Sequence, residues 1–124
     1  MAKTIMIIDD SSTMLMSLKN SLEILGFKVL VASDGAIAIN SLQSGAKPDL
    51  IITDVNMPNM GGIEFLGKAR SLAGFRFTPI LVLTTESQQM KRDEAKKLGA
   101  TGWLLKPVSG ADLSKIIKQV LPGA

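Results

Sequence analysis

The feature that most constrains this chain is a rhythm. Short apolar runs rich in β-branched residues and leucine recur along it: "TIMIID" (4–9), "KVLVA" (28–32), "DLIITD" (49–54), "PILVLT" (79–84) and "TGWLLK" (101–106). Three of them are nearly continuous instead of alternating, which is how strands covered on both faces of a parallel sheet read. The stretches between them carry helical spacing. In 12–25, Met14, Leu15, Leu18, Leu22 and Leu25 share one face, and Gly26 follows as a stop. Segments 35–44 and 87–98 end at Gly45 and Gly99 in the same way, and 63–72 carries Ile63, Leu66, Ala69 and Arg70. In 111–121, Leu113, Ile116, Ile117, Val120 and Leu121 form a stripe opposite Lys115, Lys118 and Gln119.

Strand and helix alternating five times over predict an α/β fold: a single (βα)5 doubly wound parallel sheet with helices on both faces and right-handed crossovers. A length of 124 residues suits one domain, spanning 1–124. With 46% apolar and 20% charged residues the chain reads as globular and not disordered.

Composition removes several functions. There is no cysteine, hence no disulfide framework and no zinc–thiolate site. The opening "MAKTIMIIDD" is too short and too acidic for a signal peptide. No apolar run approaches the ~18–20 residues that span a bilayer, so a cytoplasmic location without a membrane partner is expected. The net charge of +3 reads as a lysine-rich solvated surface. With one tryptophan, no tyrosine and few arginines, nucleic acid is not an expected partner. There is no histidine, so if one takes part in chemistry a partner supplies it.

The polar residues fall in a pattern. Asp9 and Asp10 end the first run, Asp54 the third, Thr84 and Thr85 the fourth, and Lys106 the fifth. In an open α/β sheet ligands bind outside the carboxyl ends of the strands. Each residue alone has an ordinary explanation: Asp10 caps the next helix, Thr84 is a strand residue, Lys106 is a surface lysine. Asp54, directly after "LIIT", is the hardest to explain so. Four strands delivering polar groups to one edge is the stronger argument. Clustered carboxylates repel, and some would take up protons. A hard cation such as Mg²⁺, bound by one or two carboxylates plus phosphate oxygens, resolves the repulsion. Three carboxylates are then offset by one Mg²⁺ and one lysine. An incoming phosphoryl group is tolerated by the metal, Lys106 and a donor such as Thr84. A carboxylate can itself attack and form an aspartyl-phosphate.

These residues resemble the receiver domain of two-component response regulators, and most of all its stand-alone chemotaxis regulators. The motifs are "IIDD" (7–10), "DVNMPNMGG" (54–62), "TTE" (84–86) and "KP" (106–107). Each is weak alone; the ordered set is specific, and the resemblance covers essentially the whole chain. It implies a flavodoxin-like sheet of strand order 2-1-3-4-5. It implies that Asp54 accepts a phosphoryl group from a histidine kinase. Asp10, Asp54 and the backbone carbonyl of Asn56 would hold Mg²⁺, and Asp9 would assist through water. Lys106, with a cis bond to Pro107, would contact the phosphoryl oxygens, and Thr84 would swing to them on activation. Asn56 and Glu86 occupy the positions that modulate dephosphorylation, and rapid self-dephosphorylation is expected. Trp103 stands where the family has a Tyr or Phe that rotates inward; the bulkier ring either switches or stays packed. Gly61 is expected to loosen the loop after Asp54, and Val108 leaves the packing after "KP" open.

Because the last helix closes the sequence, no output domain is expected, and output would run through a protein-binding face of the fourth helix, fifth strand and fifth helix. That face carries Lys91, Arg92, Lys96, Lys97, Lys115 and Lys118, with Asp93, Glu94 and Asp112 interspersed. The fourth helix has a thin apolar stripe of Met90, Ala95 and Leu98 and is expected to be weakly held. A flagellar switch component is the expected target of a monomeric chain that is a signalling switch and not an enzyme. Within the same family, a phosphate sink or regulator of another signalling protein is the alternative. A Mg²⁺-dependent phosphatase with an aspartate nucleophile is a further one, disfavoured because Asn56 cannot carry a proton. A flavin module would need a phosphate near "SST" (11–13), beside the repelling Asp9 and Asp10.

Overall fold

In a computed structural model that describes residues 2–123, the elements alternate throughout. They are β1 (Thr4–Ile8), α1 (Ser12–Ile24), β2 (Lys28–Ala32), α2 (Gly35–Gln43), β3 (Leu50–Thr53), α3 (Gly62–Ser71), β4 (Ile80–Thr84), α4 (Gln89–Lys97), β5 (Gly102–Leu105) and α5 (Gly110–Val120). Met1 and Ala124, within the expected span, lie outside the described residues. All strand pairs are parallel and the order is β2-β1-β3-β4-β5. The expected fold is therefore the observed one.

The continuous apolar runs are the inner strands. β3 and β4 are buried along their whole length and β1 nearly so, whereas edge strands β2 and β5 are mostly half-exposed. Successive side chains of a strand point to opposite faces, so each run feeds two cores. Met6, Ile8, Ile51 and Ile80 meet Ala38, Ile39 and Leu42 of α2, Phe65, Leu66 and Ala69 of α3, and Ala95 of α4. Ile5, Ile7, Ile52, Leu81 and Leu83 meet Leu22 of α1 and Leu113 and Ile117 of α5. Val108 packs at the margin of this second core, which answers where the residue after "KP" goes.

Two expectations change. The stripe on α4 narrows to Ala95, for Met90 is 83% exposed and Leu98 is only partly covered. The loop after Asp54 is not loosened at Gly61. A Cβ at Gly61 would stand 2.8 Å from the Val55 carbonyl oxygen, and one at Gly62 would stand 1.9 Å from that of Asp54. The Gly62 amide also donates to the Val55 carbonyl at 2.9 Å. Glycine is used here to bring backbone against backbone.

Arg70, grouped above with an apolar face, is instead a clamp. Its guanidinium donates to the carbonyls of Phe75 (2.8 Å), Thr78 (2.5 Å) and Gly99 (2.7 Å). The planar fork joins three loop carbonyls at the end of the sheet where the strands begin.

Candidate functional site

β1 turns outward to β2 on one side and the chain then crosses to β3 on the other, so the strand order reverses between β1 and β3. Ile8 is in register with Thr53, and the Asp54 amide donates to the Ile8 carbonyl at 2.9 Å. Asp9 and Asp54 thus leave neighbouring strands side by side. The Lys106 amide donates to the Thr84 carbonyl at 2.8 Å, which fixes the end of β5 against that of β4. The Lys106–Pro107 bond is cis, as the resemblance implied.

The Lys106 ammonium lies 2.7 Å from Asp9 Oδ2 and 2.9 Å from Asp54 Oδ2. Asp54 Oδ1 accepts from the Val55 amide at 2.6 Å. Asp9 is buried, and its Oδ1 accepts from the Ser11 amide at 3.0 Å. Asp10 is exposed and does not cap α1: Ser11 does, accepting from the Met14 amide at 3.2 Å. Its carboxylate instead joins those of Asp9 and Asp54, one oxygen from each lying within 4.8 Å of the others.

Partial burial pushes the Asp54 carboxyl up. The Thr84 hydroxyl, the Lys106 ammonium and the Val55 amide outweigh it and hold the carboxyl below the ordinary aspartate value. Of these, the Lys106 ammonium and the Val55 amide bond it at 2.9 and 2.6 Å. Burial pulls Lys106 down, but its bonds to Asp9 and Asp54 prevail and hold it above the ordinary lysine value. The pair is therefore charged on both sides at neutral pH.

This donor set fits a magnesium ion. All donors are hard oxygens, and three carboxylates with one ammonium leave two negative charges in a small space. Among the described residues, Asp10 forms no ion pair that would already neutralise it.

Around this centre stands a second ring. Thr84 is fully buried, and its hydroxyl oxygen accepts from the Glu86 amide at 3.1 Å. Glu86 Oε1 accepts from Lys91 Nζ at 3.0 Å and from Asn56 Nδ2 at 3.5 Å, so the two modulating positions touch. Trp103 is half-buried against the first core, and its indole nitrogen donates to the Glu86 carbonyl at 3.1 Å. The ring is held in place in this conformation, tethered to the β4–α4 loop. The described residues thus bring together every predicted site residue: Asp9, Asp10, Asp54, Asn56, Thr84, Glu86, Trp103 and Lys106.

Three contributors were not anticipated. Thr53 donates its hydroxyl to the Asp54 carbonyl at 2.8 Å. Asp34 caps α2 through the Ile37 amide (2.9 Å) and accepts from Asn59 Nδ2 (3.0 Å), tying the β3–α3 loop down. Lys91, read only as an output-face cation, holds Glu86. Asp34 before a helix start is a capping signal that was available in the sequence. The pairings to Asn59 and Glu86 had no local signal.

The response regulator receiver domain model matches residues 5–118. The chain belongs to the response regulator receiver family. This receiver is 36% identical over 118 residues to the chemotaxis protein CheY1 of Helicobacter pylori, covering 94% of this chain and 95% of that one. It is 37% identical over 117 residues to the chemotaxis protein CheY of Pseudomonas aeruginosa, covering 94% of each. Among solved structures, the chemotaxis response regulator CheY4 of Vibrio cholerae superposes with a TM-score of 0.90 at 40% identity, covering 98% of this chain and 100% of that one. Phosphoacceptor signalling is the activity this family membership supports. No helix among the described residues is long and apolar enough to cross a membrane.

Proposed function

We propose that this receiver is a chemotaxis-type switch, phosphorylated on Asp54 by a histidine kinase in the cytoplasm. The observation that carries the reading is Lys106 bridging Asp9 and Asp54, with the Asp10 carboxylate beside them. Asp54 attacks the phosphorus of a phosphohistidine. An oxygen–phosphorus bond forms at the Asp54 carboxylate, the phosphorus–nitrogen bond breaks, and the partner's imidazole leaves with its electron pair. The chain has no histidine of its own, which suits a donor supplied from outside.

Asp10, Asp54 and the Asn56 carbonyl would hold magnesium, with Asp9 assisting. When bound, the ion offsets the negative charge that gathers as the phosphoryl group arrives. Lys106 lets go of the Asp54 carboxylate and turns to the phosphoryl oxygens. Thr84 gives up the Glu86 amide and donates its hydroxyl to the same group. That step frees the β4–α4 loop and changes the face made by α4, β5 and α5, where a protein target such as a flagellar switch component would bind the monomer. Asn56 and Glu86 flank the path by which water later attacks the phosphorus, so the signal decays by itself. The chemistry acts on the chain's own side chain, which makes it a switch and not an enzyme with external substrates.

The test is intact mass after incubation with Mg²⁺ and a small acyl phosphate, with Asp54→Ala in parallel. Gain of one phosphoryl group by the wild type alone is expected. Gain by both proteins would move the acceptor elsewhere. If neither gains mass, beryllofluoride with Mg²⁺ replaces the donor, and no change in Trp103 fluorescence would then overturn the reading.

A further inference from the structure

Glu86 is the most connected residue beside the site. Its amide serves Thr84, its carbonyl accepts from Trp103, and its carboxylate accepts from Asn56 and Lys91. The last contact differs from the others. Lys91 belongs to α4, whose only buried residue is Ala95. It reaches back five positions, from the first turn of a helix on the surface to a carboxylate at the rim of the site.

The two partners are unequally covered. The Lys91 side chain is 37% exposed and that of Glu86 only 14%. Glu86 Oε2 accepts from the Gln88 amide at 3.3 Å, so both its oxygens are engaged. The contact to Asn56, at 3.5 Å, is the longest of the set and cannot by itself hold the carboxylate in place. Lys91, at 3.0 Å, is the strong one. It also offsets the charge of a carboxylate that would otherwise face an arriving phosphoryl group unneutralised.

We propose that Lys91 is a positioning residue: by holding the Glu86 carboxylate against Asn56, it sets the rate at which water removes the phosphoryl group from Asp54. The inference rests on the reading of Asp54 as the phosphoacceptor and deepens it. Lys91 touches neither the phosphoryl group nor the metal site; it acts through Glu86. Its side chain keeps more than a third of its surface exposed. An acidic segment of a partner lying on α4 would therefore compete with Glu86 for it. Occupancy of the output helix and persistence of the signal are coupled through a single ion pair.

The experiment follows the lifetime of the phosphorylated full chain, by loss of mass after the phosphodonor is removed. Four proteins are compared: wild type, Lys91→Met, Glu86→Ala, and the double variant. Lys91→Met is expected to lengthen the lifetime roughly three- to tenfold, a modest share of what misplacing a reacting group can cost. In the Glu86→Ala background the same change should do nothing, because there is no carboxylate left to position. Lys91→Arg should restore most of the wild-type rate. Raising the salt concentration should lengthen the wild-type lifetime toward that of Lys91→Met and leave the variant itself unmoved, since the pair is partly exposed and screened. A wild-type lifetime in Lys91→Met, or an effect that persists without Glu86, overturns the inference while the phosphoacceptor reading stands. Failure of the wild type to take up any phosphoryl group, together with no response of Trp103 fluorescence to beryllofluoride and Mg²⁺, overturns both.

Discussion

Lys106 is closer to Asp9, at 2.7 Å, than to Asp54, at 2.9 Å. The ammonium therefore occupies, with one positive charge, the same cluster of oxygens that suits a divalent ion. Lysine and metal share the carboxylates and oppose one another electrostatically.

Removing the lysine should therefore favour the metal. Lys106→Met is expected to tighten Mg²⁺ binding on the order of tenfold, the scale of one unit charge a few ångströms away at the water-like dielectric of an open site. Asp10→Asn should weaken it by a similar factor. Calorimetric titration of the unphosphorylated proteins separates the two. Weaker binding in Lys106→Met would mean that the lysine organises the carboxylates more than it competes for them.

Gly62 brings its backbone against that of Asp54. Gly62→Ala places a methyl group 1.9 Å from the Asp54 carbonyl oxygen unless the loop moves. A loss of about 3 kcal/mol in urea unfolding is expected, at the upper end of ordinary overpacking because the obstacle is backbone. Wild-type stability in this variant would show that the loop after Asp54 shifts at little cost.

Trp103 offers a clean separation of packing from tethering. Trp103→Phe keeps an aromatic ring in the first core but removes the donor to the Glu86 carbonyl. The expected cost is about 1 kcal/mol, the net worth of one hydrogen bond. Amide exchange at 86–88 should quicken while that of β3 and β4 stays slow. Unchanged exchange in the loop would remove the tether from the account.

Asp34 provides a pH test away from the metal cluster. Its bond from Asn59, then the Ile37 amide, hold its carboxyl below the ordinary value of 3.8 against a smaller opposing effect of burial. A carboxyl lowered on folding stabilises the fold fully above its unfolded value and loses that contribution as pH falls through its folded value. Asp34→Ala should thus unfold at lower urea than the wild type at neutral pH. The gap should close progressively as the pH drops below 3.8. A gap independent of pH would assign the effect to helix packing and not to the ionised cap.

Much of this was legible in the sequence because both signals involved are local. Apolar runs broken by helical spacing give the alternation of elements. Asp9, Asp10, Asp54, Thr84 and Lys106 each sit at or just past the end of a run, so the run places them at one edge. What could not be read are pairings between side chains distant in sequence. Arg70 lies in phase with Leu66 and Ala69, and only the loops around it turn it into a donor to three carbonyls. Met90 and Leu98 fit the periodicity of a buried stripe, but α4 touches the core through Ala95 alone. Periodicity marks which residues share a face. It does not say how much of that face is covered.

That sparse attachment bears on how such a chain can change over time. Eight of the nine residues of α4 lie outside the buried set, so substitutions there remove little core packing. The chemistry at the strand ends draws on the inner sheet, where nearly every change is costly. A lineage could thus acquire a new listener by altering the surface of one helix, while the phosphorylation machinery descended unchanged.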